Sequence, residues 1–209
     1  MMSPEKIYDN LSSGWSVTPQ EWLGVSPTCM RVEGQIPISQ NREEMVEFIG
    51  VVQERLEEGK LALEIGLGAG GTHMIWRHLF DSVVTIEANL TSISTFAIGV
   101  LDGCSKFVWG NSVMAETREA VCEAVSGQDV DLLFIDGSHK YTFVQSDFSH
   151  YEPLVRSGGI IAFHDTIGRG PKRFVEELKE GLHPSFPPVE VNHLLGVGSR
   201  SGISWLVKP

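Results

Sequence analysis

Two short segments of this 209-residue chain each end an apolar run with groups that can carry charge. One is IDGSHKY, 135–141, which holds Asp136 and His139; the other is GGIIAFHDT, 158–166, which holds His164 and Asp165. Two carboxylates and two imidazoles suit either a divalent cation or the transfer of a proton. The plainer alternative is a hydrogen-bonded polar rim with no metal. Gly137 lets the chain turn sharply after the first run. His73, His78, His150, His183 and His193 have no comparable setting and read as structural.

A second constellation lies upstream in LALEIGLGAGG, 61–71. Leu61, Ala62, Leu63 and Ile65 form an apolar run, Gly66, Gly68, Gly70 and Gly71 follow, and a helix opens near Thr72. A strand, a glycine turn and a helix N-terminus together make a nucleotide-type pocket. Gly66, Gly68 and Gly71 also satisfy the dinucleotide pattern G-x-G-x-x-G, so a nicotinamide ligand stays open on the loop alone. Glu64 lies inside the apolar run, where an acid needs a partner. It would repel a pyrophosphate and accept an ammonium group. Glu87, 21 positions after Gly66, is placed to accept hydrogen bonds from two ribose hydroxyls. Asn111 and Ser112 end a further short run; Asn111 suits an adenine edge, or one of the two caps a helix.

These groups need elements to carry them. Met45, Phe48, Ile49, Val52 and Leu56 keep helical spacing over 41–58, and Asn41 with Glu44 resembles a capping arrangement. Strands are expected at 61–65, 82–86, 106–109, 131–135, 159–163, 189–192 and 203–207. Helices are expected at 72–80, 90–101, 113–125, 141–154 and 172–178. This alternation predicts a doubly wound, Rossmann-like α/β fold with a mostly parallel sheet covered on both faces. Glu64–Gly66, Glu87, Gly110–Asn111, Asp136 and His164–Asp165 then meet at the carboxyl edge, where such sheets bind ligands. Residues 1–38 read as an irregular segment broken by Pro4, Pro19, Pro27 and Pro37, and residues 39–209 as the domain proper. Trp15 and Trp22 anchor that segment or form a lid over a substrate. The charge runs REE at 42–44 and ERLEEGK at 54–60 read as solvated helix faces.

The bulk properties narrow the partners. A net charge of −11 argues against nucleic acid or an anionic membrane as the main partner. Cys29, Cys104 and Cys122 form no C-x-x-C pair, which suits a reducing, cytoplasmic setting. No apolar run approaches the ~20 residues of a membrane span, and the first residues lack the apolar stretch of a signal peptide.

Four segments, LEIGLGAGGTHMIW, VVTIEAN, LLFIDGSHKYTFVQSDFSHYEPLVRSGG and IIAFHDT, resemble the class I S-adenosylmethionine-dependent methyltransferases. Within these the chain is similar to small-molecule O-methyltransferases of the macrocin and rhamnosyl group and to the cephalosporin-hydroxylase-like proteins. The resemblance covers about 38–165 and implies a seven-strand sheet whose last pair is an antiparallel hairpin. It implies cofactor contacts at Glu64, Gly66, Gly68, Gly70, Thr72, Glu87, Asn111, Ser112 and Asp136. It implies Mg²⁺ or another divalent cation on Asp136 and Asp165, with His164 as a further ligand. His139 is the first candidate for the base and His164 the second. Ser138 and Asn111 depart from the pattern, since many relatives carry acids at these two positions. The activity implied is methyl transfer to a hydroxyl of a small molecule, by a monomer or a homo-oligomer. A cephalosporin-hydroxylase-like activity, a nicotinamide-dependent oxidoreductase and a non-catalytic cofactor-binding protein are the alternatives. Glu64 and the two late strands weigh against the nicotinamide reading. The loop 193–202 is expected to help line the acceptor pocket.

Overall fold

The computed structural model describes residues 2–12, 38, 40–56, 59–68, 70–89 and 105–209. Trp15, Trp22, Cys29, Cys104 and the helix expected over 90–101 lie outside these residues.

Seven strands form one sheet: β1 (Leu61–Ile65), β2 (Ser82–Glu87), β3 (Ser105–Trp109), β4 (Val130–Ile135), β5 (Val155–His164), β6 (Asn192–Leu194) and β7 (Ile203–Val207). Their order is β3-β2-β1-β4-β5-β7-β6. The pairs from β3 across to β5 are parallel, whereas β7 runs antiparallel to both β5 and β6. The doubly wound, mostly parallel sheet with a reversed C-terminal hairpin is thus present.

Side chains alternate across this sheet as the pleat requires. Leu61, Leu63 and Ile65 of β1 face one core, and Ala62 faces the other. Helices α1 (Pro4–Ser12), α2 (Arg42–Arg55) and α3 (Gly71–Leu79) cover the Ala62 face, where Trp76 and Phe134 lie 5.1 Å apart. Helices α4 (Ala115–Val125), α5 (Tyr141–Tyr151) and α6 (Arg169–Lys179) cover the other, around Phe148, Phe163 and Phe174. Both faces being covered explains why the parallel strands read as continuous apolar runs.

Several expectations need correction. Residues 4–12 are helical rather than irregular. Pro4 is the first residue of α1, the one helical position where a missing N–H is harmless. Ile7 and Tyr8 of α1 are buried in the core. The strand expected over 189–192 lies at Asn192–Leu194, fixed by pairing with Ile203–Trp205. Val191 is buried by packing, not by strand pairing. Asn41 does cap α2, its Oδ1 accepting from the amides of Glu43 (2.9 Å) and Glu44 (3.3 Å). Glu44, however, is not on a solvated face. It is 1% exposed and accepts hydrogen bonds from Gly196 N, Gly202 N and the Ser201 hydroxyl. Glu43 binds Val197 N in the same way, so the first turn of α2 clamps the loop between β6 and β7.

Candidate active site

The turn after β1 must pass close to the turn after β4. Asp136 N donates to Ile65 O, and Gly66 N donates to Ile86 O, both at 2.9 Å. A Cβ at Gly66 would overlap the carbonyl of Asp136, and its φ of +96° also favours glycine. Gly68 and Gly70 also have positive φ, and Gly70 precedes α3 without a side-chain cap. The first amides of α3 therefore have no side-chain partner at the cap.

A cleft of about 330 Å³ opens at this edge. Its walls include Gly66, Gly68, Glu87, Asn111, Ser112 and Asp136. Glu87 accepts from Leu67 N (3.0 Å) and Gly68 N (3.2 Å) through Oε2, and from Asn89 N (2.6 Å) through Oε1. Oε1, with one donor, keeps a lone pair for a further one. Asn111 does not cap α4, whose N-cap is Met114. It closes an Asx turn onto Val113 N, and the Ser112 carbonyl is held by the Tyr151 hydroxyl at 2.7 Å. The spacing of charged residues gave no sign of Ser138 and Phe143, which also line the cleft.

Glu64, Gly70 and Thr72 are not among these walls. Glu64 is fully buried on the α3 face, where it accepts from the Thr85 hydroxyl at 2.9 Å. His73 continues this strip to Thr85 (2.9 Å) and Ser105 (3.0 Å). Burial raises the pKa of Glu64, opposed by the His73 hydrogen bond and charge. Its Oε1 is left with no partner.

Beside the cleft the two polar segments meet. His164 Nδ1 lies 3.0 Å from Asp136 Oδ1 and 3.2 Å from Asp165 Oδ2. His139 Nε2 lies 2.8 Å from Asp165 Oδ2. Among the described residues, donor atoms of Asp136, His139 and Asp165 lie within 4.8 Å of one another, a set fit for a metal ion. His164 is not in that set. Burial lowers its pKa, but the hydrogen bonds to Asp136 and Asp165 outweigh this and push it up to about 10. The same His164 bond holds the Asp165 carboxyl below its usual range. Asp165 has φ +55°, a left-handed conformation rare outside glycine, and Thr166 and Ile167 hold it there by bonding to Gly202 O and Ser201 O. Gly170 at the start of α6 allows that helix to press against the His139 carbonyl.

Sequence reasoning missed one member altogether. Gln40, just before α2, donates from Nε2 to Asp136 Oδ2 at 2.8 Å.

Residues 63–166 match a family model described as a methyltransferase domain. That span holds Glu87, Asp136, His139 and Asp165, the residues just described. Residues 63–166 belong to the methyltransferase-domain family. The methyltransferase domain runs from the middle of β1 to the residue after Asp165, and Gln40 lies before it. No curated protein matches the chain. Solved structures similar to it include MycE, a methyltransferase of the mycinamycin biosynthetic pathway in complex with Mg, SAH and mycinamycin VI. Its identity is 16% and its TM-score 0.58, over 78% of this chain and 48% of MycE. The chain thus spans about half the length of MycE. An O-methyltransferase from Bacillus cereus in complex with SAH shares 20% identity at TM-score 0.59, over 83% of this chain and 84% of its own. An rRNA methylase from Streptococcus thermophilus shares 12% identity at TM-score 0.58, over 82% and 99%. At these identities the likeness is one of fold, and it does not choose an acceptor.

Proposed function

We propose that the chain is an S-adenosylmethionine-dependent methyltransferase acting on a hydroxyl of a small molecule, with a divalent cation held beside the cofactor. One observation carries this reading. Asp136 is both a wall of the cleft and a member of the set that fits a metal. A nucleoside sulfonium and a divalent cation would therefore share one carboxylate.

The residues divide the work as follows. Glu87 takes a ribose hydroxyl with the free lone pair of Oε1. Asn111 and Ser112 border the adenine, and the uncapped amides of α3 receive the methionine carboxylate. The carboxylates of Asp136 and Asp165 are hard oxygen donors suited to Mg²⁺ or Mn²⁺, which leaves His139 free for the proton. When bound on Asp136 and Asp165, such a cation supplies Lewis acidity that lowers the pKa of the acceptor hydroxyl. The oxygen forms a bond to the methyl carbon while the sulfur–methyl electron pair returns to sulfur, leaving a neutral thioether. His139 takes the hydroxyl proton, and Asp165 beside it stabilises the imidazolium. His139 is preferred to His164 because it is exposed and His164 is buried. Cys122 is free and exposed, which supports the cytoplasmic setting read from cysteine usage.

Calorimetric titration with S-adenosylmethionine and with NAD, each alone, tests the reading. Heat with the sulfonium cofactor and none with NAD is expected, and Glu87→Ala should weaken binding at least about tenfold, as loss of charge-assisted bonds predicts. Heat with NAD alone overturns the assignment.

A further inference from the structure

The carboxylate of Asp136 is held from two sides. His164 approaches Oδ1 at 3.0 Å, and the Gln40 amide donates to Oδ2 at 2.8 Å. Gln40 is itself pinned: its backbone carbonyl accepts from the Tyr8 hydroxyl at 3.0 Å, and the next residue, Asn41, caps α2. The side chain is 8% exposed. Its orientation follows from Asp136, because only the amide nitrogen can face a carboxylate oxygen. That leaves Oε1 buried with no hydrogen-bond partner. A lysine or arginine in this place would orient Asp136 equally well but would cancel its charge. A neutral amide orients it and adds no positive charge of its own.

We propose that Gln40 is a positioning residue of the active site, whose amide fixes Asp136 toward a divalent cation without neutralising it. The proposal rests on the functional reading above and extends it to a residue outside the matched methyltransferase domain. The orphaned Oε1 is the sign of that role. A glutamine kept only for packing is replaceable by an apolar side chain of the same length with no buried acceptor left over.

The test is calorimetric titration of Mn²⁺ into the full chain and its variants, with S-adenosylhomocysteine affinity and the thermal midpoint measured on the same samples. Gln40→Met keeps the length and volume and carries neither amide group. Its Mn²⁺ affinity should fall about tenfold, as for other residues that orient metal ligands, with S-adenosylhomocysteine affinity held within about twofold. The thermal midpoint should change little, because the buried unsatisfied acceptor goes while Asp136, which loses a donor, lines the open cleft. Gln40→Asn, whose amide is withdrawn by one methylene, should lose Mn²⁺ affinity too, and it decides the matter if Gln40→Met does not fold. Unchanged Mn²⁺ affinity in the folded variant, with or without a lower midpoint, overturns the proposal and leaves the functional reading standing. Wild-type chain that binds S-adenosylhomocysteine but no Mn²⁺ overturns the proposal and the cation of the functional reading, and leaves the cofactor assignment standing. Wild-type chain that binds neither overturns both.

Discussion

Asp147, on the inner face of α5, is fully buried, and neither carboxylate oxygen has a partner within hydrogen-bonding distance. Burial pushes its pKa up to about 6, moderated by the nearby Ser112 hydroxyl. A raised pKa in the folded state means the native protein prefers the neutral acid. This stability is fully present below the unfolded value of 3.8 and is lost as pH rises through about 6. The difference amounts to roughly 3 kcal/mol. Asp147→Asn should therefore be more stable than the wild type at pH 8, by up to about that amount, and no more stable at pH 3.5. Urea denaturation at the two pH values measures it. Asp165 calls for a different experiment, since its left-handed backbone is tolerated by asparagine but its charge is not replaced. Asp165→Asn should fold normally and lose methyl transfer by about a hundredfold or more. Single-turnover assays beside thermal melts separate the two effects. At this scale Glu87 was legible because an acid ending a strand soon after a glycine turn has few other uses. Gln40 was not, because its partner Asp136 lies 96 positions away and a glutamine near a helix start looks ordinary.

The elements show a similar division. Strands β1, β2, β4 and β7 could be read from apolar runs because the sheet buries both faces. Helix α1 was hidden by Pro4, which ends some elements and begins others. Strand β6 was displaced because Val189 and Val191 look like strand residues, yet Val191 is buried and Val189 partly buried by packing between elements. Glu44 was concealed within a run of charges, although its partners at Gly196 and Gly202 lie 152 and 158 positions on. No local signal could reveal them. Its carboxylate holds two backbone amides and a hydroxyl in a buried setting, so Glu44→Ala should destabilise the protein by about 2–3 kcal/mol. The loop 195–202 should then exchange its amide protons faster, as hydrogen exchange would show. At the opposite edge Asp131 binds the amides of Lys60 and Leu61 and the Arg156 guanidinium. Asp131→Ala should cost a similar amount, about 2–3 kcal/mol, while leaving cofactor affinity unchanged, since the clamp lies at the start of β4, away from the carboxyl edge.

For the molecule as a whole, fold class was the most legible property. Alternating strands and helices admit few arrangements, and the two late strands after the last helix suit the reversed hairpin that the resemblance implies. The acceptor was the least legible, because its contacts depend on loops rather than on periodic elements. Among the described residues, no helix is long and apolar enough to cross a membrane. The charge of −11 has its own consequence. S-adenosylmethionine carries a net positive charge and its thioether product carries none. Stopped-flow association of the substrate form should slow as salt rises from low to physiological strength, and that of the product form should not. Asp136 carries the last consequence, since it belongs at once to the nucleoside cleft and to the metal-fitting set. Two ligands that lean on one side chain cannot be thermodynamically independent. Whatever factor Mn²⁺ multiplies the grip on S-adenosylhomocysteine by, the nucleoside must multiply the grip on Mn²⁺ by the same factor. Paired titrations would expose this reciprocity, and Asp136→Asn should abolish it.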